Sequence, residues 1–126
     1  MKKYHAVIIE QSLNDKSVLA DIKIINKKKS DDWDLDILEI NNIEKAIKII
    51  QSAMVSNEPY YWHIYDDNNT LIVVFKNMVF NLDPKDMSTW NEAQEYGSKL
   101  LNIPADQLDF YPKEFSDEPA WLLEKD

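Results

Sequence analysis

Short segments in which apolar and polar residues alternate recur along the chain, and they limit its possible folds more than any other feature. Alternation with a period of two is typical of strands that bury one face. The pattern predicts six strands, at residues 4–10, 18–26, 32–37, 60–65, 70–75 and 78–82. Lys76 and Asn77 separate the last two segments, which indicates either a tight hairpin or one long bent strand.

A first helix is predicted between the third and fourth strands. Asn41 and Glu44 have the spacing of a capping box, and Asn57 with Pro59 ends the segment. Its apolar residues recur at helical spacing and form one stripe: Ile43, Ala46, Ile47, Ile50 and Met54.

A second helix is predicted over residues 90–101, with Thr89 and Glu92 as its capping pair. Its apolar stripe contains Gly97, which is the one glycine of the chain. Glycine lowers helix propensity by about 1 kcal/mol relative to alanine, so its presence predicts a close approach, most simply to an aromatic side chain of the sheet.

These elements predict one α+β domain over residues 1–126 with a largely antiparallel sheet. The order is a strand-strand-strand-helix unit that occurs twice, followed by a short C-terminal helix near residues 119–124. Alternating strands bury one face, so we expect both long helices on one side of the sheet and an open face on the other.

Charge and composition exclude several classes of function. The 14 basic and 23 acidic residues give a net charge of -9, which argues against nucleic acid or an anionic membrane as partner. All basic residues are lysine, a bias typical of AT-rich bacterial genomes, and without arginine the chain has no bidentate phosphate ligand. The absence of cysteine excludes disulfides and thiol catalysis. The apolar run at residues 6–9 is too short for a signal peptide, so we expect a cytoplasmic protein.

No sequence motif identifies a reaction that the chain could catalyse. Asp32, Asp34 and Asp36 have the spacing that opens a calcium loop, but Ile37 stands where that loop needs glycine. We therefore expect an acidic, solvated strand face and no metal. Neither a glycine-rich phosphate loop nor a nucleophile elbow is present, so we expect no cofactor and favour a non-catalytic role.

The fourth predicted strand carries the candidate site. Tyr61, His63 and Tyr65 share one face, and Asp66 with Asp67 follows at its end. We call Tyr61, His63 and Tyr65 the aromatic ladder. It either binds a partner, surrounds a small polar pocket, or merely covers the open side of the sheet. Trp121, in the acidic C-terminal region, is a further candidate for contact with a partner.

The sequence therefore predicts a small, non-catalytic module that binds another protein or a second copy of itself. An immunity or antitoxin-like inhibitor of a basic protein fits this description, because acidic inhibitors associate quickly with basic targets. The alternative is a small-molecule-binding domain or minor enzyme with a pocket around Tyr61, His63 and Tyr65.

Overall fold

One antiparallel sheet organises the chain. The computed structural model describes residues 3–30, 33–56, 58, 60–104, 107–108, 110 and 114–118. The strands are β1 (Tyr4–Ile9), β2 (Lys23–Ser30), β3 (Trp33–Ile40), β4 (Tyr61–Tyr65), β5 (Leu71–Phe75) and β6 (Met78–Leu82). Their order in the sheet is β2-β3-β1-β4-β5-β6, so β2 and β6 are the two edges. The α+β class and the tight hairpin between β5 and β6 are confirmed.

Helical segments connect and follow the strands. The helix α1 spans Ile43–Ala53, between β3 and β4. After β6, a 3-10 turn at Met87–Trp90 leads into α2 (Asn91–Glu95), which a π-helical turn continues over Tyr96–Leu100. Further 3-10 turns lie at Glu10–Ser12, Lys16–Asp21 and Phe115–Asp117. The predicted helix near residues 119–124 lies outside the described residues.

The second strand lies later in the chain than predicted. Residues 18–21 belong to a 3-10 turn, and the strand runs from Lys23 to Ser30, four residues beyond its predicted end at residue 26. The carboxylate of Asp15 accepts a hydrogen bond from the N–H of Ser17 and so starts the 3-10 turn. Leu19 is buried in the core beside α1, which favours the turn over an extended segment.

The two helices cover opposite faces of the sheet, and the prediction that both cover one face is wrong. The stripe of α1 packs with Ala6 and Ile8 of β1 and with Ile72 and Val74 of β5. Ala93 of α2 packs on the other face, in a second cluster of buried apolar side chains: Tyr65, Leu71, Val73, Phe75, Leu82, Trp90, Ala93, Ile103, Leu108 and Phe110.

The strand β5 explains why the sheet needs an apolar layer on both of its faces. All five of its residues are buried, and its sequence is a continuous apolar run rather than an alternation. Successive side chains of a strand point to opposite faces, so an unbroken run of this kind needs an apolar layer on each side. The centre of the sheet is therefore sandwiched between α1 and the C-terminal part of the chain.

The apolar stripe predicted for α1 is confirmed. Ala46, Ile50 and Met54 are buried, and Ile43 and Ile47 pack against the same core. The N-cap is Asn42, whose side chain accepts a hydrogen bond from the N–H of Lys45 at 3.1 Å. The predicted cap was Asn41, one residue earlier, and both are residues that favour this position.

The second helix starts differently from the prediction. Thr89 does not cap α2; its hydroxyl accepts a hydrogen bond from the N–H of Asp83 and donates one to the carbonyl of Asp86. The close approach predicted at Gly97 is present. A Cβ atom there would lie 2.8 Å from Cδ2 of Leu108 and 3.4 Å from Cε1 of Phe75. The nearest neighbour is thus Leu108 of the C-terminal segment, with the expected aromatic ring behind it.

We predict that Gly97→Val destabilises the fold by about 1–3 kcal/mol, because the added side chain has to displace the buried Leu108. Denaturant unfolding monitored by tryptophan fluorescence measures the change. Ser98→Val is the matched control, since it adds a β-branched residue to the same helical turn at a half-buried position. Equal destabilisation by both variants would contradict the packing explanation.

Candidate functional site

The face that carries Tyr61, His63 and Tyr65 is closed, and the prediction of an open face is wrong. Tyr65 has 0% of its surface exposed and His63 5%, while Tyr61 is half-buried. The three rings do form the predicted ladder, with centroid separations of 6.5 Å for Tyr61 to His63 and 5.4 Å for His63 to Tyr65. The ladder is part of the interior of the protein rather than of its surface.

The C-terminal part of the chain covers this ladder. The ring of Phe110 meets Tyr61 edge-on at 5.5 Å, and the ring of Phe115 meets Tyr65 at 6.1 Å. The hydroxyl of Tyr61 donates a hydrogen bond to the carbonyl of Gln107. Side chains of the chain itself therefore occupy the space that the predicted pocket around these residues would need.

A buried carboxylate fastens the covering segment to the sheet. His5 and Tyr65 lie directly opposite each other in β1 and β4, so their side chains share a face. Oε2 of Glu118 accepts a hydrogen bond from the Tyr65 hydroxyl at 2.6 Å and lies 2.9 Å from Nδ1 of His5. Burial, followed by the bond to Glu118, raises the pKa of the Tyr65 hydroxyl far above its usual value. The hydroxyl thus remains a donor to Glu118.

The remaining predicted site residues have different environments. Asp66 is buried, and its Oδ1 accepts hydrogen bonds from the N–H groups of Asn68 and Thr70 at 2.7 and 3.0 Å. This carboxylate shapes the turn between β4 and β5. Asp67 is exposed and accepts a hydrogen bond from the N–H of Phe115 at 2.8 Å. Trp121 lies outside the described residues.

Asp36 is a buried carboxyl group where a solvated one was expected. Its side chain has 0% exposure and lies opposite Ile8 of β1 and Lys27 of β2. Among the described residues neither carboxyl oxygen has a hydrogen-bond donor. Its neighbour Glu10 is also an acceptor, so the two groups bond only when one of them carries a proton.

The surroundings favour the protonated form of Asp36. Glu10 already has two cationic neighbours, since Lys16 and Lys27 lie 3.7 and 3.8 Å from its carboxylate oxygens. Burial, followed by the bond to Glu10 and its charge, raises the pKa of Asp36 to about 7. The described residues contain no group of three or more His, Asp or Glu side chains placed to hold a metal ion.

An exposed groove lies at the β6 edge of the sheet, between β6 and the helical residues 92–100. We call this region the β6 corner. Its volume is about 430 Å³, and its lining is Met78, Phe80, Glu92, Glu95, Tyr96, Lys99 and Leu100. Met78 is 44% and Leu100 68% exposed, although both are large apolar side chains. Phe80 and Tyr96 are half-buried, and their rings are 5.7 Å apart. The groove combines apolar side chains with two carboxylates and the ammonium group of Lys99.

The two edges of the sheet differ in charge. β2 contains four lysines in eight residues, whereas β6 has the sequence MVFNL and no charged residue. Lysines on an edge strand discourage pairing with other strands. The sequence predicts residues 78–82 as a strand but not as an edge of the sheet. The contrast between the two segments is visible in the sequence, but the knowledge that both are edges is not.

Comparisons with family models, with curated proteins and with solved structures found no match to this chain. Within the described residues, no helix is both long enough and apolar enough to cross a membrane.

We predict that Tyr65→Phe destabilises the protein by about 1–2 kcal/mol, because it leaves the buried Glu118 carboxylate without one of its donors. Amide hydrogen exchange at residues 115–118 should accelerate in the same variant. Tyr60→Phe is the control, since it removes a hydroxyl from a half-buried ring that packs edge-on with Trp33. Unchanged exchange at residues 115–118 in Tyr65→Phe would contradict the fastening role of Glu118.

We also predict that Asp36→Asn stabilises the protein at alkaline pH. The folded-state pKa of Asp36 lies above its unfolded value, so its contribution to stability is present at acid pH and is lost as the pH rises through about 7. Asparagine donates to Glu10 at every pH. At about pH 8 the free energy of unfolding of the variant should exceed that of the wild type by ~1–2 kcal/mol, a range that allows for screening by solvent. The difference should shrink toward about pH 5.

Urea unfolding at several pH values measures this difference. Asp34→Asn is the control on the same strand, where Gln11 Nε2 already donates to the carboxylate at 2.8 Å. A gain in the Asp36 variant that is the same at all pH values would exclude a buried proton as its cause.

Proposed function

We propose that the chain is a non-catalytic, cytoplasmic protein-binding module whose partner docks at the β6 corner and carries positive charge. The observation that carries the proposal is the difference between the two edges of the sheet. One edge carries four lysines, whereas the other is uncharged and adjoins the exposed side chains of Met78 and Leu100. An exposed apolar patch bordered by charged groups is typical of interaction sites.

Charge supports a basic partner over a second copy of the chain. The net charge of -9 repels an identical molecule and attracts a basic one. Glu92 and Glu95 border the groove of the β6 corner and are exposed. Inhibition of a basic protein, in the manner of an immunity or antitoxin-like protein, fits such a surface, since complementary charge increases the rate of association.

Affinity capture with variants tests this proposal. Wild type, the double variant Met78→Ser, Leu100→Ser, and the single variant Trp33→Ser are immobilised and exposed to lysate of the cells that make the protein. Trp33→Ser is the matched control, because Trp33 is also a large exposed apolar residue but lies on β3. We expect a basic protein that wild type and Trp33→Ser retain and that the double variant loses.

Binding of that protein should weaken at least about tenfold when the salt concentration is raised to several times its physiological value, because exposed charges are then screened. Retention of the same proteins by the double variant would contradict docking at the β6 corner. An acidic partner, or one whose binding is independent of salt, would contradict the charge argument.

A further inference from the structure

We propose that the partner contributes an extended, lysine- or arginine-bearing segment that pairs with β6 and adds a strand to the sheet. This inference rests on the proposed function and specifies how the β6 corner would bind. It concerns the backbone of β6, whereas the proposed function concerns the side chains that surround it.

The pairing of β6 with β5 leaves part of its backbone directed away from the sheet. Phe75 and Met78 face each other across the two-residue turn, and three further pairs continue the register to Asn81 opposite Ile72. In an antiparallel ladder, hydrogen-bonded and non-hydrogen-bonded pairs alternate. The tight turn makes Phe75 and Met78 a bonded pair, so Val79 and Asn81 direct their N–H and C=O groups outward.

β6 lacks the features that protect natural edge strands. Within the described residues β5 is its sheet neighbour, and its register with β5 runs without a bulge through Leu82. It contains no charge and no proline. The opposite edge has both protections, since β2 carries four lysines and its register shifts between Ile24 and Asn26. The sheet is therefore open to strand addition at β6 and protected from it at β2.

The groove beside β6 specifies the chemistry of the added strand. Alternate side chains of that strand would face α2, where the half-buried rings of Phe80 and Tyr96 offer an apolar surface. Basic side chains among them would meet Glu92 and Glu95. Lys99 already pairs with Glu95 at 2.7 Å, but both side chains are largely exposed, so the pair is weak and a cation of the partner can replace Lys99. A second copy would instead bring a molecule of net charge -9 to an acidic border.

A defined peptide tests the inference directly. The probe is a short, acetylated and amidated peptide that alternates lysine and valine, and the control peptide has glutamate in place of each lysine. We expect the lysine peptide to bind the full chain and to slow amide exchange at Val79 and Asn81, the two outward-facing positions of β6. The glutamate peptide should bind at least about tenfold more weakly. Binding of the lysine peptide without protection of Val79 and Asn81 would overturn strand addition.

Two variants of the edge separate backbone pairing from side-chain contact. Val79→Pro removes an outward N–H while it keeps the bonds to β5, because proline is tolerated at the free side of an edge strand. It should weaken binding of the lysine peptide by at least about tenfold. Asn81→Lys places a charge on the edge and should have the same effect, and it replaces Val79→Pro if that variant fails to fold. Asn41→Lys is its matched control, since it makes the same exchange at an exposed position next to α1.

The outcomes distinguish this inference from the proposed function. If Met78→Ser with Leu100→Ser abolishes binding while both edge variants bind normally, the partner docks by side chains alone; strand addition is then wrong and the proposed function stands. If the corner and edge variants all bind normally, both are wrong. If light scattering finds a dimer that Val79→Pro or Asn81→Lys converts to a monomer, a second copy occupies the edge and the basic segment is wrong.

Discussion

The burial of both faces of the central strands is the constraint on which the rest of the structure depends. All five residues of β5 are buried, with Ile72 and Val74 in one apolar cluster and Leu71, Val73 and Phe75 in the other. A strand of this composition is stable only between two apolar layers. The helix α1 supplies one layer, and α2 with the segment that contains Leu108 and Phe110 supplies the other. With both faces covered, the edges of the sheet become its available surfaces.

Two buried carboxyl groups, those of Glu118 and Asp36, are accommodated in this layered structure in different ways. Glu118 enters the layer around Tyr65 with donors from two strands, so its burial is compensated and it holds the C-terminal segment in place. Asp36 has no donor among the described residues, and burial raises its pKa to about 7. The first group stabilises the layered structure, whereas the second makes its stability dependent on pH.

The aromatic ladder of Tyr61, His63 and Tyr65 resembles a recognition surface in the sequence, but in the fold it forms the floor of the second core. At β6, by contrast, an uncharged strand and the exposed Met78 and Leu100 lie beside two carboxylates and Lys99. An edge strand with outward backbone groups is the kind of surface that binds by pairing, and the acidic border is the reason why we propose a basic strand as its partner.

By itself the sequence determined the α+β class and the stripe of α1, because both follow from periodicity along short segments. It left a β5–β6 hairpin and one bent strand open, and Gly97 indicated a close approach without identifying Leu108 as the nearest neighbour. The tertiary structure decided which faces are covered, since a strand pattern does not reveal how far a distant segment reaches. Tyr65 is buried because Glu118, 53 residues later, returns to it. The unbroken apolar run of β5 was the available signal for two covered faces. No local signal could identify β6 as an edge, because the order of strands in a sheet depends on contacts between segments far apart in the chain.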